Sequence, residues 1–374
     1  MVDLKSQYNH IKDEIQIAMQ KVIDDTAFIN GPQVAQFAHE LENYLDVKHV
    51  IPCANGTDSL QIAMMALGLE PGDEIITPSF TYIATVEVVA LLKLKPVFCE
   101  INAKTFCIDE NEIEKLITDK TKAIVPVHLY GQCANMEVIM EIAEKHNLFV
   151  IEDNAQAIGG YYTFKDGTRK ANGTIGHIGS TSFFPSKNLG CYGDGGALYT
   201  NDSDLAEKMK MIASHGQKTK YVHDVIGCNS RLDTLQAAVL SVKLPRLDSY
   251  CNARREVADF YNQAFANHKN ITTPFVSDFS HHVYHQYTLI LNDVNRDDVK
   301  KQLQEKGIPT MIYYPIPAHK QKMFASLQLA EINLETTDWL TERVISLPIH
   351  TEMTVEQLQY ISTELLNIIN NLSK

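Results

Sequence analysis

Short apolar segments alternate with helical patterns from about residue 49 onward. The apolar segments are HVIPC, DEIITP, KPVFCEI, KAIVPVHL and LFVIED, and two of the helical segments are DSLQIAMMALGL and MEVIMEIAEKHN. Strands that are apolar nearly throughout are typical of a parallel sheet covered on both faces. Further strands are expected near STSFF and GALYTN, where glycines favour a hairpin-like return. The chain is therefore predicted to be an α/β protein with a mostly parallel sheet, whose ligands bind at the carboxyl ends of the strands.

The pattern changes after about residue 245. The segment SYCNARREVADFYNQAFANH is typical of a long helix, HHVYHQYTLIL of a strand, and RDDVKKQLQEKG and VEQLQYISTELLNIINNL of two further helices. Pro245, shortly before the long helix, indicates a break or kink. We therefore predict a large domain over residues 1–245, including an N-terminal arm, and a smaller α+β domain over residues 246–374.

Composition and charge argue against several classes of partner. The 374 residues carry a formal net charge of −13, which argues against nucleic acid and anionic membranes. No apolar run approaches membrane-spanning length and the first residues, MVDLKSQYNHIKDEI, lack an apolar signal core, so a cytoplasmic location is expected. The seven cysteines are an odd number without a CxxC pair, which favours reduced, mostly buried thiols.

One candidate site residue lies at the end of the strand FVIED. Asp153 is the last residue of that segment, and Gln156 follows three residues later. A carboxylate in so apolar a setting needs a hydrogen-bonding partner or a cation, because an unpaired buried charge is costly. The alternative interpretation is that Asp153 caps the following helix, a common role for an aspartate after a strand.

A second candidate lies where CANGTDSLQIAMMAL passes from strand to helix. Gly56 and Thr57 stand at this junction, where free backbone N–H groups and the helix dipole favour a bound phosphate. Ser182 offers a further hydroxyl, whereas Asp58 would repel a phosphate unless its carboxylate caps the helix. Neither GxxxxGK[ST] nor GxGxxG occurs, and a plain helix cap remains the alternative interpretation.

A third candidate is Lys187 in TSFFPSKNLGCYGDGGA, a lone cation in an apolar, glycine-rich segment. Phe80 and Tyr82, at another strand end, are candidates to cover a planar ring, although isolated aromatics more often belong to a core. A lysine, a strand-terminal carboxylate, a stacking aromatic and a phosphate cradle together specify pyridoxal phosphate. Asp153 would keep its ring nitrogen protonated, and Lys187 would hold the cofactor and then move a proton.

These motifs together resemble those of the DegT/DnrJ/EryC1/StrS family of PLP-dependent nucleotide-sugar aminotransferases. The resemblance extends from VDLKSQY through VIEDNAQAIGG, SFFPSKNLGCYGDGGALYTND and NSRLDTLQAA to YYPIPAHKQ and SLPIH. It implies the PLP-dependent transferase fold type I with a seven-stranded sheet, and a homodimer whose active sites are shared. In that family Gln156 would lie near the phenolic oxygen, and Asn229 would reach the phosphate of the neighbouring subunit. The cofactor contacts so implied are Gly56, Thr57, Asp58, Tyr82, Asp153, Gln156, Ser182, Lys187 and Asn229.

The resemblance also suggests a substrate. TSFFPSKNLGCYGDGGA, PVHLYGQCA and YYPIPAHKQ look most like the branch that aminates C3 of UDP-2-acetamido-2-deoxy-3-oxo-glucuronate, with glutamate as donor, for surface polysaccharides such as O-antigen. A dTDP-3-oxo-6-deoxyhexose is the alternative acceptor. Arg231 is expected to meet a carboxylate of uronate or donor, because Arg suits bidentate contact. The other residues expected at the sugar are Tyr313, Tyr314 and His319.

Three alternatives from other classes fit the sequence less well. A nucleotide-sugar binding protein without catalysis is disfavoured by the intact set of Lys187, Asp153 and Gln156. A dinucleotide-dependent sugar oxidoreductase is disfavoured by the missing glycine fingerprint after the first strand. A metal site at His281 and His285 in SHHVYH is disfavoured because a strand there would point these histidines to both faces. We expect no metal.

Overall fold

A computed structural model describes residues 1–327 and 332–373. The helices are α1 (Leu4–Asp24), α2 (Pro32–Leu45), α3 (Gly56–Ala66), α4 (Ala84–Leu91), α5 (Glu110–Ile113), α6 (Met136–His146), α7 (Ser203–Ala213), α8 (Thr234–Lys243), α9 (Leu247–Ala264), α10 (Arg296–Glu305), α11 (Glu335–Thr341) and α12 (Val355–Leu372). The strands are β1 (His49–Cys53), β2 (Glu74–Pro78), β3 (Lys95–Cys99), β4 (Thr121–Ile124), β5 (Phe149–Asp153), β6 (Tyr161–Thr163), β7 (Arg169–Ala171), β8 (Ile178–Ser182), β9 (Gly196–Thr200), β10 (Gln217–Thr219), β11 (Val222–His223), β12 (Ile271–Thr272), β13 (Tyr287–Leu291) and β14 (Val344–Leu347).

Seven strands form the central sheet in the order β1-β9-β8-β5-β4-β2-β3. The pairs β2–β3, β2–β4, β4–β5 and β5–β8 are parallel, and β9 runs antiparallel to both of its neighbours. The expected return between STSFF and GALYTN is the antiparallel β8–β9 pair. The predicted α/β class with a mostly parallel, seven-stranded sheet is therefore confirmed.

Both faces of the central sheet are buried. In β2, Ile75 packs with α3, α4 and α7 on one face, whereas the next residue, Ile76, packs with α6 on the other. Because successive side chains of a strand point to opposite faces, a strand covered on both sides must be apolar at consecutive positions. This covering explains the near-continuous apolar runs in the sequence.

The C-terminal part of the chain has its own sheet and its own core. Strands β12, β13 and β14 form an antiparallel sheet, and α9, α10 and α12 pack with it around a separate cluster of buried residues. The chain passes from α8 to α9 through a short 3-10 turn over Leu244–Arg246, which contains Pro245. The proposed domain boundary at 245/246 falls in this turn and stays a prediction.

The expected strand HHVYHQYTLIL is wrong in its first half. Strand β13 begins only at Tyr287, and residues 281–286 are irregular. Tyr284 adopts a φ of 43°, a left-handed conformation that a strand cannot contain.

No helix in the described part of the chain is long and apolar enough to cross a membrane.

Three strand ends place the candidate site at one edge of the central sheet. Strand β5 ends at Asp153, its neighbour β8 ends at Ser182, and β1 ends at Cys53, just before α3 begins. Because parallel strands end at the same edge of a sheet, these polar residues are brought to one place.

Candidate active site

Lys187 stands in a tight turn between β8 and β9. The backbone N–H of Lys187 donates to the carbonyl oxygen of Phe184 at 2.8 Å. The turn folds back so closely that a Cβ on Gly190 would lie 2.4 Å from the carbonyl oxygen of Pro185. Burial lowers the pKa of the Lys187 ammonium to about 8, and the nearby Asp153 carboxylate opposes that shift. The amine is therefore deprotonated, and nucleophilic, at a lower pH than an ordinary surface lysine.

The Asp153 carboxylate is buried at the end of β5 and accepts two hydrogen bonds. Thr85 Oγ1 donates to Oδ2 at 2.8 Å, and the backbone N–H of Ala155 donates to Oδ1 at 3.2 Å. Burial raises the pKa of Asp153, whereas these two donors and the charge of Lys187 lower it. A protonated ring nitrogen beside this carboxylate would add a further cation and favour its ionised form.

Gln156 is fixed between two tyrosines. Its Oε1 accepts the backbone N–H of Tyr130 at 2.8 Å, and its Nε2 donates to the hydroxyl of Tyr314 at 3.0 Å. The hydroxyl of Tyr130 in turn donates to the carbonyl oxygen of Tyr313. The segment around Tyr313 and Tyr314 is thus held against the end of β5, where both tyrosines are half-buried.

The start of α3 offers free backbone donors. Among the described residues, the N–H groups of Gly56 and Thr57 have no hydrogen-bond acceptor. A Cβ on Gly56 would lie 2.7 Å from the Cβ of Ser182, so only glycine allows the helix start to approach the end of β8 this closely. The helix cap is Asn55, whose side chain accepts the Asp58 N–H at 2.8 Å. The suggestion that the Asp58 carboxylate caps the helix is therefore wrong.

The loop before α8 lies against this helix start. The hydroxyl oxygen of the buried Ser230 accepts the Ala54 N–H at 3.0 Å. Its neighbour Asn229 is exposed, and Arg231 is half-buried. Within the described residues the Arg231 side chain has neither a hydrogen bond nor an ion pair. Arg231 follows Ser230, which contacts the chain just before the free N–H groups of Gly56 and Thr57, the phosphate cradle. A free guanidinium at this position is suited to an anionic ligand.

The two aromatic candidates, Phe80 and Tyr82, differ in their exposure to solvent. Phe80 is fully buried and packs against Phe106, Tyr130 and Tyr314, which makes it a core residue. Tyr82 is 56% exposed, and its ring centre lies 6.1 Å from that of Tyr314. Of the two, Tyr82 is the ring that a planar ligand can reach.

His319 lies inside the protein rather than at an open surface. Its Nδ1 is 2.7 Å from Ser79 Oγ, and its backbone N–H donates to the same oxygen at 3.1 Å. The side chain is 1% exposed, and burial lowers its pKa. Its visible contacts therefore fix the segment after Tyr314 against the end of β2.

Several residues that support the site were not found from the sequence. Thr85 binds Asp153, Tyr130 binds Gln156, and Ser230 binds the start of the helix. Directly before Asp153, the buried Glu152 accepts the Nε2–H of His128 at 2.8 Å, because Nδ1 of that ring accepts the Ala134 N–H. Of these supporting residues, only Glu152 left a signal in the sequence, as part of the adjacent acidic pair in VIEDN.

The described residues contain no group of three or more His, Cys, Asp or Glu side chains arranged to hold a metal ion. His281 instead stacks on Tyr161 with ring centres 4.1 Å apart. Our reason for disfavouring a metal site there, a strand through His285, was nevertheless wrong, because that segment is irregular.

The arrangement fits a planar cofactor that carries a phosphate. The free N–H groups of Gly56 and Thr57 suit the phosphate, and the buried Asp153 carboxylate suits a protonated ring nitrogen. Lys187, with its lowered pKa, suits a covalent link to an aldehyde. The fold and the site together define the class of α/β transferases that act through a lysine and a phosphate-bearing cofactor.

A family model agrees with this class over nearly the whole chain. The model of the DegT/DnrJ/EryC1/StrS aminotransferase family matches residues 9–366. The chain belongs to this family, and the resemblance seen in its motifs is confirmed.

Similar curated proteins include one named as a regulator and two as aminotransferases. The chain is 46% identical to the pleiotropic regulatory protein of Geobacillus stearothermophilus, over 96% of each chain. It is 44% identical to the UDP-2-acetamido-2-deoxy-3-oxo-D-glucuronate aminotransferase of Pseudomonas aeruginosa, over 98% of this chain and 99% of that one. It is 43% identical to the UDP-N-acetyl-3-dehydro-alpha-D-glucosamine 3-aminotransferase of Acidithiobacillus ferrooxidans, over 97% and 96% respectively.

Solved structures show the same fold. The DesV protein of S. venezuelae superposes with a TM-score of 0.94 at 35% identity, over 98% of this chain and 97% of that one. NtdA from Bacillus subtilis, solved with the cofactor PMP bound, gives a TM-score of 0.90 at 34% identity, over 97% and 82%.

Proposed function

We propose that this chain transfers an amino group from L-glutamate to C3 of UDP-2-acetamido-2-deoxy-3-oxo-glucuronate, in the cytoplasm, for a surface polysaccharide such as O-antigen lipopolysaccharide. Pyridoxal 5′-phosphate is the cofactor of this sugar-nucleotide aminotransferase. The observation that carries the proposed reaction is Lys187, with a pKa lowered to about 8, beside the buried Asp153 and the free N–H groups of α3.

Lys187 performs two tasks in the proposed reaction. Its Nζ would hold the cofactor covalently at rest and, once freed by the amino substrate, would take the proton from the donor α-carbon and move it between carbons. Asp153 holds the proton on the pyridine nitrogen, supported by Thr85 Oγ1 at 2.8 Å. When bound, the cofactor ring supplies a sink for the electron pair left by the departing proton. Lys187 is half-buried, which limits the contact of its amine with water and keeps the amine reactive.

The geometry at the start of α3 and the end of β8 supports the remaining proposed cofactor contacts. Gly56 and Thr57 donate backbone N–H groups to the phosphate, and Ser182 adds its hydroxyl at the point where α3 and β8 almost touch. Gln156 Nε2, which donates a hydrogen bond to the Tyr314 hydroxyl, is the proposed donor to the phenolic oxygen of the cofactor. The exposed Tyr82 is the proposed cover for the cofactor ring. Asp58, the third residue of α3, donates its N–H to Asn55 and does not cap the helix, so its proposed contact with the cofactor would be made by its carboxylate at a group other than the phosphate. Each of these roles is a proposal.

Two relatives support the choice of acceptor. Both are named for 3-oxo or 3-dehydro derivatives of UDP-linked acetamido sugars, and only the one at 44% identity is named for a glucuronate. Arg231 supports a carboxylate on the sugar or the donor, because its guanidinium is half-buried and free within the described residues. Tyr313 and Tyr314, opposite Tyr82, are the proposed sugar contacts, and His319 positions their segment through Ser79.

A panel of three acceptors tests the proposed substrate. With glutamate as donor, kcat/KM is expected to be about 10- to 100-fold higher for the UDP-linked 3-oxo-glucuronate than for UDP-N-acetyl-3-dehydro-glucosamine, which lacks the carboxylate. A dTDP-3-oxo-6-deoxyhexose is expected to be poorer still. Arg231→Gln should remove the preference for the uronate if Arg231 binds the carboxylate of the sugar.

Each other outcome of the panel supports a different function for this chain. Preference for the dTDP-sugar makes the alternative acceptor correct, and equal rates for the two UDP-sugars remove the uronate from the proposal. If no acceptor reacts in protein loaded with cofactor, the non-catalytic alternative gains support, as the regulatory name of the Geobacillus relative would suggest. Glutamine in place of glutamate distinguishes the two donors.

We also propose that the active site is shared between two copies of this chain. The loop and hairpin before Asn229 expose large apolar side chains, including Tyr221 at 80% and Ile226 at 86%. Phe28 and Ile29 are exposed nearby, and the Phe28 carbonyl oxygen accepts the Thr234 N–H. Several large exposed apolar side chains in one region are typical of a protein interface, and a two-fold axis there would bring Asn229 to the partner's phosphate.

Mixing two inactive variants is expected to restore activity. In a heterodimer of a Lys187→Ala chain with an Asn229→Asp chain, one site carries both lesions and the other none. Random exchange in a 1:1 mixture should therefore restore roughly a quarter of the parent's sites. The matched control mixes Lys187→Ala with Asp153→Asn, whose lesions each damage their own protomer's site, and should restore nothing. If subunit exchange is verified and the first mixture never exceeds the better homodimer, the sites are not shared.

A further inference from the structure

Lys243, at the end of α8, is a buried lysine that the reaction above does not use. Its side chain is only 1% exposed. Its Nζ donates to the carbonyl oxygen of Gly190 at 2.5 Å and lies 5.4 Å from the centre of the Tyr192 ring. No carboxylate within the described residues forms an ion pair with it, and burial lowers its pKa to about 8. An ammonium group buried without a counter-charge is costly, and an apolar side chain here would avoid that cost.

The oxygen that Lys243 holds belongs to the turn of Lys187. Gly190 follows Lys187 by three residues, and among the described residues its carbonyl oxygen accepts from Lys243 alone. Two positions further on, the Tyr192 N–H donates to Gln236 Oε1 at 2.8 Å. Helix α8 therefore holds this turn at two neighbouring points through Gln236 and Lys243.

The other end of the same segment is attached to the phosphate cradle. Ser230 accepts the Ala54 N–H, two residues before Gly56. Thr234, the first residue of α8, accepts the Gly31 N–H through its Oγ1 at 3.0 Å. Residues 230–243 thus connect the cradle with the turn that carries Lys187, so the relative position of the two depends on this segment.

We propose that Lys243 is a positioning residue for the reaction: its ammonium group fixes the 187–190 turn and thereby sets where the Lys187 amine stands relative to Asp153 and the cradle. The inference rests on the proposed role of Lys187. A reacting group displaced by about 1 Å can lose on the order of 100-fold in rate. A loosened turn would therefore affect chemistry more than binding of the sugar.

The test replaces Lys243 with methionine, which keeps the length and apolar stem but removes the donor. Hydrogen exchange of the 187–190 amides in the cofactor-free full chain is expected to be about tenfold faster or more. In the loaded enzyme the pH midpoint of the visible absorption band should shift, and kcat should fall about tenfold while KM changes little. Lys208→Met, on the exposed side of α7, is the matched control and should change none of these.

A second variant covers the case in which Lys243→Met does not fold. Gln236→Leu removes only the neighbouring contact at a half-buried position, and should speed exchange at 187–190 and shift the absorption midpoint in the same direction. The proposal is overturned if the folded variants lose thermal stability alone, with exchange, midpoint and kcat as in the parent. If borohydride does not label Lys187 in the parent, the proposed function fails, whereas the exchange data still decide whether Lys243 holds the turn.

Discussion

Replacing Lys187 with alanine is expected to abolish transamination while the protein still folds. The amine that holds the cofactor and the base that moves the proton are lost together, so turnover should fall by at least about 10³-fold. The Lys187 side chain makes no hydrogen bond to any described residue, and its desolvated charge adds little to the fold. Thermal unfolding should therefore stay close to that of the parent, and steady-state rates with glutamate measure the loss.

Two controls make the Lys187 result specific. Lys187→Arg keeps a cation beside Asp153, but a guanidinium stays protonated and can neither attack the cofactor aldehyde nor accept a proton. It should be as inactive as the alanine variant. Borohydride should fix the cofactor to a peptide containing Lys187 in the parent and in Lys208→Ala, but in neither Lys187 variant. Substantial turnover by Lys187→Ala would show that another group carries the reaction.

The second large effect is expected from Asp153→Asn. An amide cannot hold the ring nitrogen protonated, so kcat should fall by about 10²-fold or more. The fold tolerates the change, because Oδ1 still accepts the Ala155 N–H and Thr85 Oγ1 has the Tyr82 carbonyl oxygen as another acceptor at 3.2 Å. The free energy of unfolding should therefore change by only about 1 kcal/mol.

Asp202→Asn is the matched control for Asp153. Asp202 caps α7 by accepting the N–H groups of Asp204 and Leu205, and asparagine is an equally good cap. This variant should keep full activity. Residues 154–160, directly after β5, form no helix for Asp153 to cap, so the helix-cap alternative is wrong. If Asp153→Asn is as fast as the parent, the Asp153 side chain only holds the turn after β5 through the Ala155 N–H, and its carboxylate has no part in the chemistry.

The fold was predictable wherever burial leaves a local pattern. Strands β2 and β5 were visible because burial on both faces requires consecutive apolar residues. KAIVPVHL gave a strand that was too long, since β4 ends at Ile124 and Pro126 has no N–H to donate to a ladder. HHVYHQ was misassigned because apolar residues that pack against Gly131 in an irregular loop resemble a strand in sequence.

The candidate site was predictable only in its local parts. Lys187 among glycines, Asp153 after a strand and Gly56 at a helix start each leave a signal within a few residues. Thr85 and Ser230 leave none, because their partners Asp153 and Ala54 lie 68 and 176 residues away in sequence. Only the folded sheet brings these pairs together, and no periodicity in the sequence predicts their contacts.

The bond between Gln156 and Tyr314 has a consequence for how the protein is made. It joins positions 158 residues apart, so the proposed cofactor pocket is completed only when the segment around Tyr314 has docked at the end of β5. Contacts of such large sequence separation form late in folding, because closing the loop costs chain entropy before the contact contributes any stability. Until Tyr314 has been synthesised and has folded, the chain therefore offers the cofactor an unfinished pocket. Cofactor binding then stabilises the completed native state alone, so the folded enzyme should be less stable without pyridoxal phosphate.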